Sequence, residues 1–213
     1  DFKKPKLLKD VFNVFVMLKH PLDNFYDLKV GTKGSVLSAL IIYIAVTFVF
    51  CLDMLFRGYL FAPENLSSLS LLPVLLMFVV PLALFVVGNS MVASINDGEG
   101  SFKNIFVITA YSLSPYLLIT PFVVIASYGV TFNESFILDL IWFVGVAWSA
   151  VILFIGIMRT HDYTVGETIK NIFITLFFML MVVVAAAIMY VIWNTLISFI
   201  SGVFVEVDFR VTG

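Results

Sequence analysis

Five stretches of this chain carry almost no charge and are long enough to cross a bilayer. Residues 172–200 form a run of 29 positions without an Asp, Glu, Lys, Arg or His. A helix rising ~1.5 Å per residue over that run outreaches the ~30 Å hydrocarbon core of a membrane. A water-soluble domain has no place for such a segment. Four more apolar runs precede it, at 36–56, 71–92, 105–127 and 136–158. The connections between them, 57–70, 93–104, 128–135 and 159–171, are short, which sets consecutive helices side by side and antiparallel. The expected fold class is an all-α membrane protein with five transmembrane helices.

The two flanks read differently. Residues 1–35 are polar and lysine-rich. Leu7, Leu8, Val11, Phe12, Val14, Phe15 and Leu18 share one broad helical face, with Lys9, Asp10 and Asn13 opposite, while Val16 and Met17 break the pattern. Pro21 ends the helix, because its ring has no N–H to give and clashes with the preceding turn. A basic amphipathic helix ahead of the first span is expected to lie in the headgroup layer as an N-terminal interfacial helix; the alternative is a helix packed under the bundle or against a partner. At the other end, Val203, Val205, Val207, Phe209 and Val211 alternate with Phe204, Glu206, Asp208, Arg210 and Thr212. A period of two is that of a half-buried strand, so a short extracytoplasmic C-terminal strand is expected, against a frayed tail or a helix extension. The chain then divides into an interfacial segment 1–35, a five-helix domain 36–200 and a strand-like tail 201–213.

Composition strengthens the membrane assignment. Of 213 residues, 62% are hydrophobic and 12% charged, where a soluble domain carries about 25% charge. The single cysteine, Cys51, excludes an internal disulfide and a cysteine zinc cluster. No cleavable signal peptide is expected, since the early lysines are followed by no span until Val36. Charge also orients the helices. Lys3, Lys4, Lys6, Lys9, Lys19, Lys29 and Lys33 precede the first span, and Lys103, Arg159 and Lys170 fall in connections on the same side. Arg57 and Arg210 alone fall on the other. The basic side is expected to be cytoplasmic, with the amino terminus inside and the carboxyl terminus outside. Tyr59, Tyr128, Trp142 and Trp193 then lie near the outer interface, where amphipathic rings are favoured. An odd number of spans without an internal repeat counts against the inverted halves of a secondary transporter.

Few residues carry candidate chemistry. Asp53 lies ~26 Å up the first helix, near its outer edge, and Arg57 follows on the same face. An intramembrane acid is a functional candidate by default; at this depth an interfacial ion pair is the expected role. Asp139 reads as a helix-end acid favoured by the dipole. Pro73, Pro81, Pro115 and Pro121 are expected to bend the second and third spans, with Ser112, Ser114 and Thr120 placed to satisfy freed carbonyls. Gly145 with Ser149, and Ala185, Ala186 and Ala187, give small faces for close helix approach, within the chain first and between copies second. His20 and His161 are single loop histidines without the spacing of metal ligands. The sequence has no HExxH and no phosphate-binding loop; Gly88-Asn89-Ser90 is not a nucleophile elbow, and no span carries a histidine base. No catalytic residue, metal or cofactor is expected, and no enzyme activity.

Three stretches together resemble the Yip domain family of integral membrane proteins, named for interaction with Rab-type small GTPases. PLDNFYDLKVGTKGS, at 21–35, runs from a proline through an aromatic, a lysine and a glycine into the first span. GEGSFKNIFVITAYSLSPYLL, at 98–118, has a glycine-bearing turn, then Tyr111 and a Ser114-Pro115-Tyr116 step. MRTHDYTVGETIKNI, at 158–172, has a histidine-aromatic turn, a glycine and a helix leading into the last span. The resemblance implies five spans with the amino terminus inside. The chain lacks the DLYGP-like stretch of eukaryotic members, of which PLDNFYDL is a distant echo, so it looks more like bacterial members. Some of those are associated with carbohydrate importers of the ATP-binding-cassette (ABC) type.

The resemblance therefore implies a non-enzymatic accessory or scaffold protein of a bacterial plasma membrane. Its expected partners are membrane lipids and other integral membrane proteins, ABC transporter subunits among them; homo-oligomers stay open, and no nucleic acid is expected. The expected contacts are Phe12 and Phe15 on the amphipathic helix, Gly98, Lys103, His161 and Gly166 in two cytoplasmic turns, and Val205, Val207 and Phe209 on a strand that a partner could extend. The alternative is a small transporter, channel or lipid-handling protein using the proline-bent second and third spans, with Asn89, Ser90, Ser112 and Ser114 beginning a polar path.

Overall fold

The computed structural model describes residues 10, 14–15, 25, 35–58, 70–96 and 98–212. Ser35 starts the first helix, α1 (Val36–Phe56), with a reciprocal cap: Ser38 N–H donates to Ser35 Oγ at 3.1 Å and Ser35 N–H to Ser38 Oγ at 2.9 Å. That satisfies two of the amide groups a helix start leaves open. α2 (Leu71–Ile95) takes Pro73 in its first turn, where no intrahelical N–H is missed, so only Pro81 interrupts its ladder. The third crossing is two helices, α3 (Phe102–Ser112) and α4 (Ser114–Ala126), broken at Leu113. Pro115 does not bend a continuous helix; it occupies the first turn of a new one. After a 3₁₀ turn at Phe132–Glu134, α5 (Ser135–His161) ends in a left-handed residue, Asp162, at φ 53°. α6 (Val165–Thr212) begins with Thr164 and Glu167 in a second capping box, Thr164 N–H donating to Glu167 Oε2 at 2.8 Å.

Among the described residues five helical segments are long and apolar enough to cross a membrane, the α3–α4 pair counting as one. That pair sits at the centre, packed against α1, α2 and α5, and it is the most buried of the five. Its sequence explains its place. It holds Thr109, Ser112, Ser114 and Thr120, all buried, and a helix rich in hydroxyls gains most by facing protein rather than lipid. The hydroxyls of Thr109 and Ser112 donate to the carbonyls of Ile105 and Ile108, both at 2.8 Å. Ser114 Oγ donates to the Tyr111 carbonyl, the acceptor that Pro115 cannot serve. Around this centre Ala39, Ile42, Val46 and Val49 form the buried stripe of α1, at helical spacing, against Ile108, Tyr111 and Ile152.

α6 is peripheral. Its 48 residues reach ~72 Å at 1.5 Å per residue. Its first turns pack on α2, where Gly88 lets Phe178 come close: a Cβ there would lie 2.9 Å from the Phe178 ring. Among its described side chains the last buried one is Thr175, and every residue from Val183 to Phe204 is exposed. Ala185, Ala186 and Ala187 are therefore exposed, not buried in the expected intramolecular small face.

Two further expectations are corrected. The tail 203–212 is helical, the end of α6, and no strand occurs among the described residues. A helix already formed extends with one internal hydrogen bond per residue, whereas a lone strand would leave its backbone unpaired. Most of the expected interfacial amphipathic helix, including Phe12, lies outside the described residues. Those that are described, Asp10, Val14 and Phe15, are helical; Val14 is buried as its apolar face requires, but Asp10 is buried and Phe15 exposed, against the expected faces. The Asp10 carbonyl accepts from Tyr111 Oη at 2.7 Å, so Asp10 is tied to the bundle. Phe25 is also fully buried, against Gly156 and Ile108.

The Phe25 contact gives a test. A Cβ at Gly156 would stand 2.5 Å from Ile108 Cγ2 and 2.9 Å from Phe25 Cζ, while one at Gly166 meets nothing within 4 Å. We expect Gly156→Ala to destabilise by about 1–3 kcal/mol through overpacking, and Gly166→Ala to be neutral or stabilising by up to about 1 kcal/mol. Thermal unfolding of the two variants in detergent checks the contrast.

Candidate functional site

At one end of the bundle α1 and α5 meet through charge. Arg57 Nε donates to Asp53 Oδ1 at 3.1 Å and Nη2 to Asp53 Oδ2 at 3.5 Å, the fork geometry expected one helical turn apart. Arg57 Nη1 also donates to Asp139 Oδ1 at 3.3 Å. Asp139 is thus not a helix-end acid: it lies beyond the first turn of α5 and closes a three-residue cluster. The side chains of Asp53 and Arg57 are 13% and 21% exposed and that of Asp139 is 68% exposed. Asp53 therefore depends on the guanidinium, while Asp139 has other partners to turn to. Two carboxylates against one guanidinium leave a formal charge of −1. The same end is closed by Gly58 N–H donating to Ser127 Oγ at 2.7 Å and Tyr128 Oη donating to the Phe56 carbonyl at 2.7 Å.

At the opposite end two turns interlock. Gly100 N–H donates to His161 Nδ1 at 3.1 Å, and Tyr163 Oη donates to the Asn96 carbonyl at 3.2 Å. The His161 and Tyr163 rings stack at 5.0 Å. Gly98 is a glycine because of this pairing: a Cβ there would lie 2.5 Å from Tyr163 Oη and 2.6 Å from His161 Nδ1. His161 is the last residue of α5, is 2% exposed, and is not a loop histidine. The structure thus brings together Gly98 and His161, two of the expected contact residues, and buries the histidine. Lys103 and Gly166 remain exposed nearby. Val205, Val207 and Phe209 lie far along α6; their backbone is helical and their side chains are outside the described set.

Sequence reasoning missed the junction between α2 and α6. Asn89 Nδ2 donates to Asn171 Oδ1 at 2.6 Å and to Thr175 Oγ1 at 3.2 Å, all buried. The signal was present: an amide inside an apolar helix has to face protein. The alternative transporter reading has Asn89 and Ser90, with Ser112 and Ser114, begin a polar path. Ser112 and Ser114 donate to backbone carbonyls of their own crossing, and Asn89 points to α6. Tyr111, noted only as part of a motif, is fully buried; its hydroxyl donates to Asp10 O at 2.7 Å and lies within hydrogen-bond distance of Ser38 Oγ, at 3.0 Å. Among the described residues no group of three or more His, Cys, Asp or Glu is placed to hold a metal.

Five apolar crossings, the central one rich in hydroxyls, with each end of the bundle locked by short polar contacts, define a multi-pass integral membrane protein. The chain belongs to the Yip1 domain family, whose profile matches residues 15–188. No curated protein and no solved structure gives a significant match.

The charge cluster is testable by its asymmetry. Arg57→Gln strands the shielded Asp53 and is expected to destabilise by about 1–3 kcal/mol. Asp139→Asn should stay within about 0.5 kcal/mol, as for an exposed site. Adding Asp53→Asn to Arg57→Gln should restore part of the loss, read by thermal unfolding in detergent.

Proposed function

We propose that this protein is a non-enzymatic membrane scaffold that binds other integral membrane proteins through α6 and through the interlocked turns at the His161 end. The observation that carries this reading is the outer part of α6. From Val183 to Phe204 it buries no side chain in its own bundle, yet those 22 residues alone match ~33 Å of bilayer. A helix apolar on all sides is either lipid-bathed or packed against other helices. The small side chains of Ala185, Ala186 and Ala187 would let a partner helix approach closely. At the other end the Gly98–Gly100 and His161–Tyr163 turns are stiffened by their mutual contacts. They carry the exposed residues Glu99, Lys103, Glu167 and Lys170 on a rigid frame.

The orientation we infer puts the His161 end in the cytoplasm, because Lys103, Arg159 and Lys170 lie on that side and Arg57 on the other. The carboxyl end of α6 is then extracytoplasmic. The likeness to bacterial members supports a bacterial plasma membrane and, as the most concrete partner, a subunit of an ABC-type carbohydrate importer.

Native purification followed by mass spectrometry of the bound chains tests this reading. Recovery of importer subunits with the full chain is expected, and recovery of this chain alone overturns it. Ala186→Phe should leave thermal unfolding unchanged, because Ala186 is exposed on α6, and should lower partner recovery. Unchanged recovery removes α6 from the contact surface. Removing residues 203–213 tests its far end in the same assay.

A further inference from the structure

Three observations coincide one turn inside the Arg57–Asp139 cluster. The first is an apolar groove of about 370 Å³, walled by Phe50, Phe78, Leu113, Tyr116, Trp142 and Val146. It lies within the membrane-crossing part of the bundle, so the matter available to fill it is hydrocarbon. The second is a pair of polar atoms at its edge. Tyr116 is 6% exposed, and its hydroxyl lies beside Trp142 and Thr120. The phenol interacts with both of these neighbours, yet among the described residues neither Tyr116 Oη nor Trp142 Nε1 reaches a partner in full hydrogen-bond geometry. Indole N–H is a donor only, while a phenol oxygen that accepts it still has its own O–H to give. The pair therefore has donor capacity left over that an acceptor oxygen would meet, and leaving it unmet is costly.

The third observation is the charge cluster itself. Asp53 follows Phe50 by three residues and Asp139 precedes Trp142 by three, so the cluster stands ~4.5 Å further along both helices. It offers one guanidinium and one well-exposed carboxylate, with a formal charge of −1. A headgroup that is only anionic meets two carboxylates there. One carrying both phosphate and a primary ammonium finds a partner for each. Along this line the chemistry runs hydrocarbon, acceptor oxygen, then paired charges of both signs. That is the order of acyl chain, ester and headgroup in a glycerophospholipid.

We propose that this groove holds one acyl chain of an amine-bearing zwitterionic glycerophospholipid, whose ester carbonyl accepts from Tyr116 and Trp142. The phosphate then lies against Arg57 and the ammonium against Asp139. The site is separate from α6 and from the His161 end, so it stands or falls independently of the scaffold reading.

Trp142 is its own reporter. In the full chain carrying Trp148→Phe and Trp193→Phe it is the remaining tryptophan. The protein is reconstituted in phosphatidylcholine vesicles containing a rising fraction of phosphatidylethanolamine or phosphatidylglycerol brominated on the acyl chain. Trp142 quenching should saturate with brominated phosphatidylethanolamine, at a mole fraction about threefold or more below that needed for phosphatidylglycerol, the ratio a partly exposed ion pair supplies. Tyr116→Phe should move the phosphatidylethanolamine curve toward the other. Quenching that rises in proportion to mole fraction, equally for both headgroups, means ordinary boundary lipid and overturns the proposal. Saturation first with phosphatidylglycerol overturns it as well. A second readout covers the case in which the Tyr116 variant does not fold. Native mass spectrometry of the unsubstituted chain, delipidated and reloaded from an equal mixture, should show one retained phosphatidylethanolamine, and retention of none overturns the site.

Discussion

Inside a bilayer no water relieves an unpaired amide or carbonyl, and the break in the third crossing is where this chain meets that constraint most directly. Pro115 removes the N–H that would have served Tyr111 O, and the Ser114 hydroxyl takes its place. The new helix start at α4 then has open amides of its own. Tyr116 N–H finds Ser149 Oγ on α5 at 3.1 Å, and that same hydroxyl donates to Gly145 O at 2.9 Å. Such a bond is worth only ~0.5–1.5 kcal/mol made, but its absence at a buried site costs ~1–3 kcal/mol. The break is therefore tolerable only with α5 close by. Gly145 permits the closeness, since a Cβ there would already lie 3.2 Å from Ile119. One turn before the break, Tyr111 reaches across to Ser38 on α1 and to the Asp10 carbonyl. The proline step thus fixes the positions of α1, α5 and Asp10 together.

Much of this architecture was legible in the chain because the bilayer dictates it. A charge-free run must be helical and must be about as long as the membrane is thick. The helix ends moved outward from the apolar runs, to Ile95, His161 and Val165, because caps and turns form in the polar layer beyond them. The tail failed for a local reason. Its alternation placed Val203 and Val205 on one set, but the other set held Phe204, so a period of two did not separate apolar from polar. Asp10 failed for a tertiary one: its backbone carbonyl is its useful group, and a helical face drawn from side chains does not register it.

The polar contacts divide along the same line. Asp53 with Arg57 was readable, being one turn apart on one helix. Asp139 was not, because its partner lies 82 residues away. Gly98 and His161 were each noted for their own sakes. That each explains the other, the glycine leaving room for the ring and the next turn's amide holding it, appears only when two connections are folded together. Ser149 is similar: as a small residue it suggested close packing, and its hydroxyl turns out to cap a helix in a different crossing.

What the bundle does not explain is α6. The other crossings each contribute buried side chains over much of their length, and the polar groups among them are engaged in locking one helix to the next. α6 is held at its root by Asn171 and Thr175 against Asn89, beside the Gly88–Phe178 contact. Beyond Thr175 none of its described side chains is buried, although it continues as a helix to Thr212. A chain gains no stability for its own fold from such a length. A buried amide contact at the root specifies direction, since a misaligned helix would leave Asn89 and Asn171 in hydrocarbon without each other. The combination of a directed root with an outer part that packs on nothing of its own is what a helix needs if its partners are outside the chain.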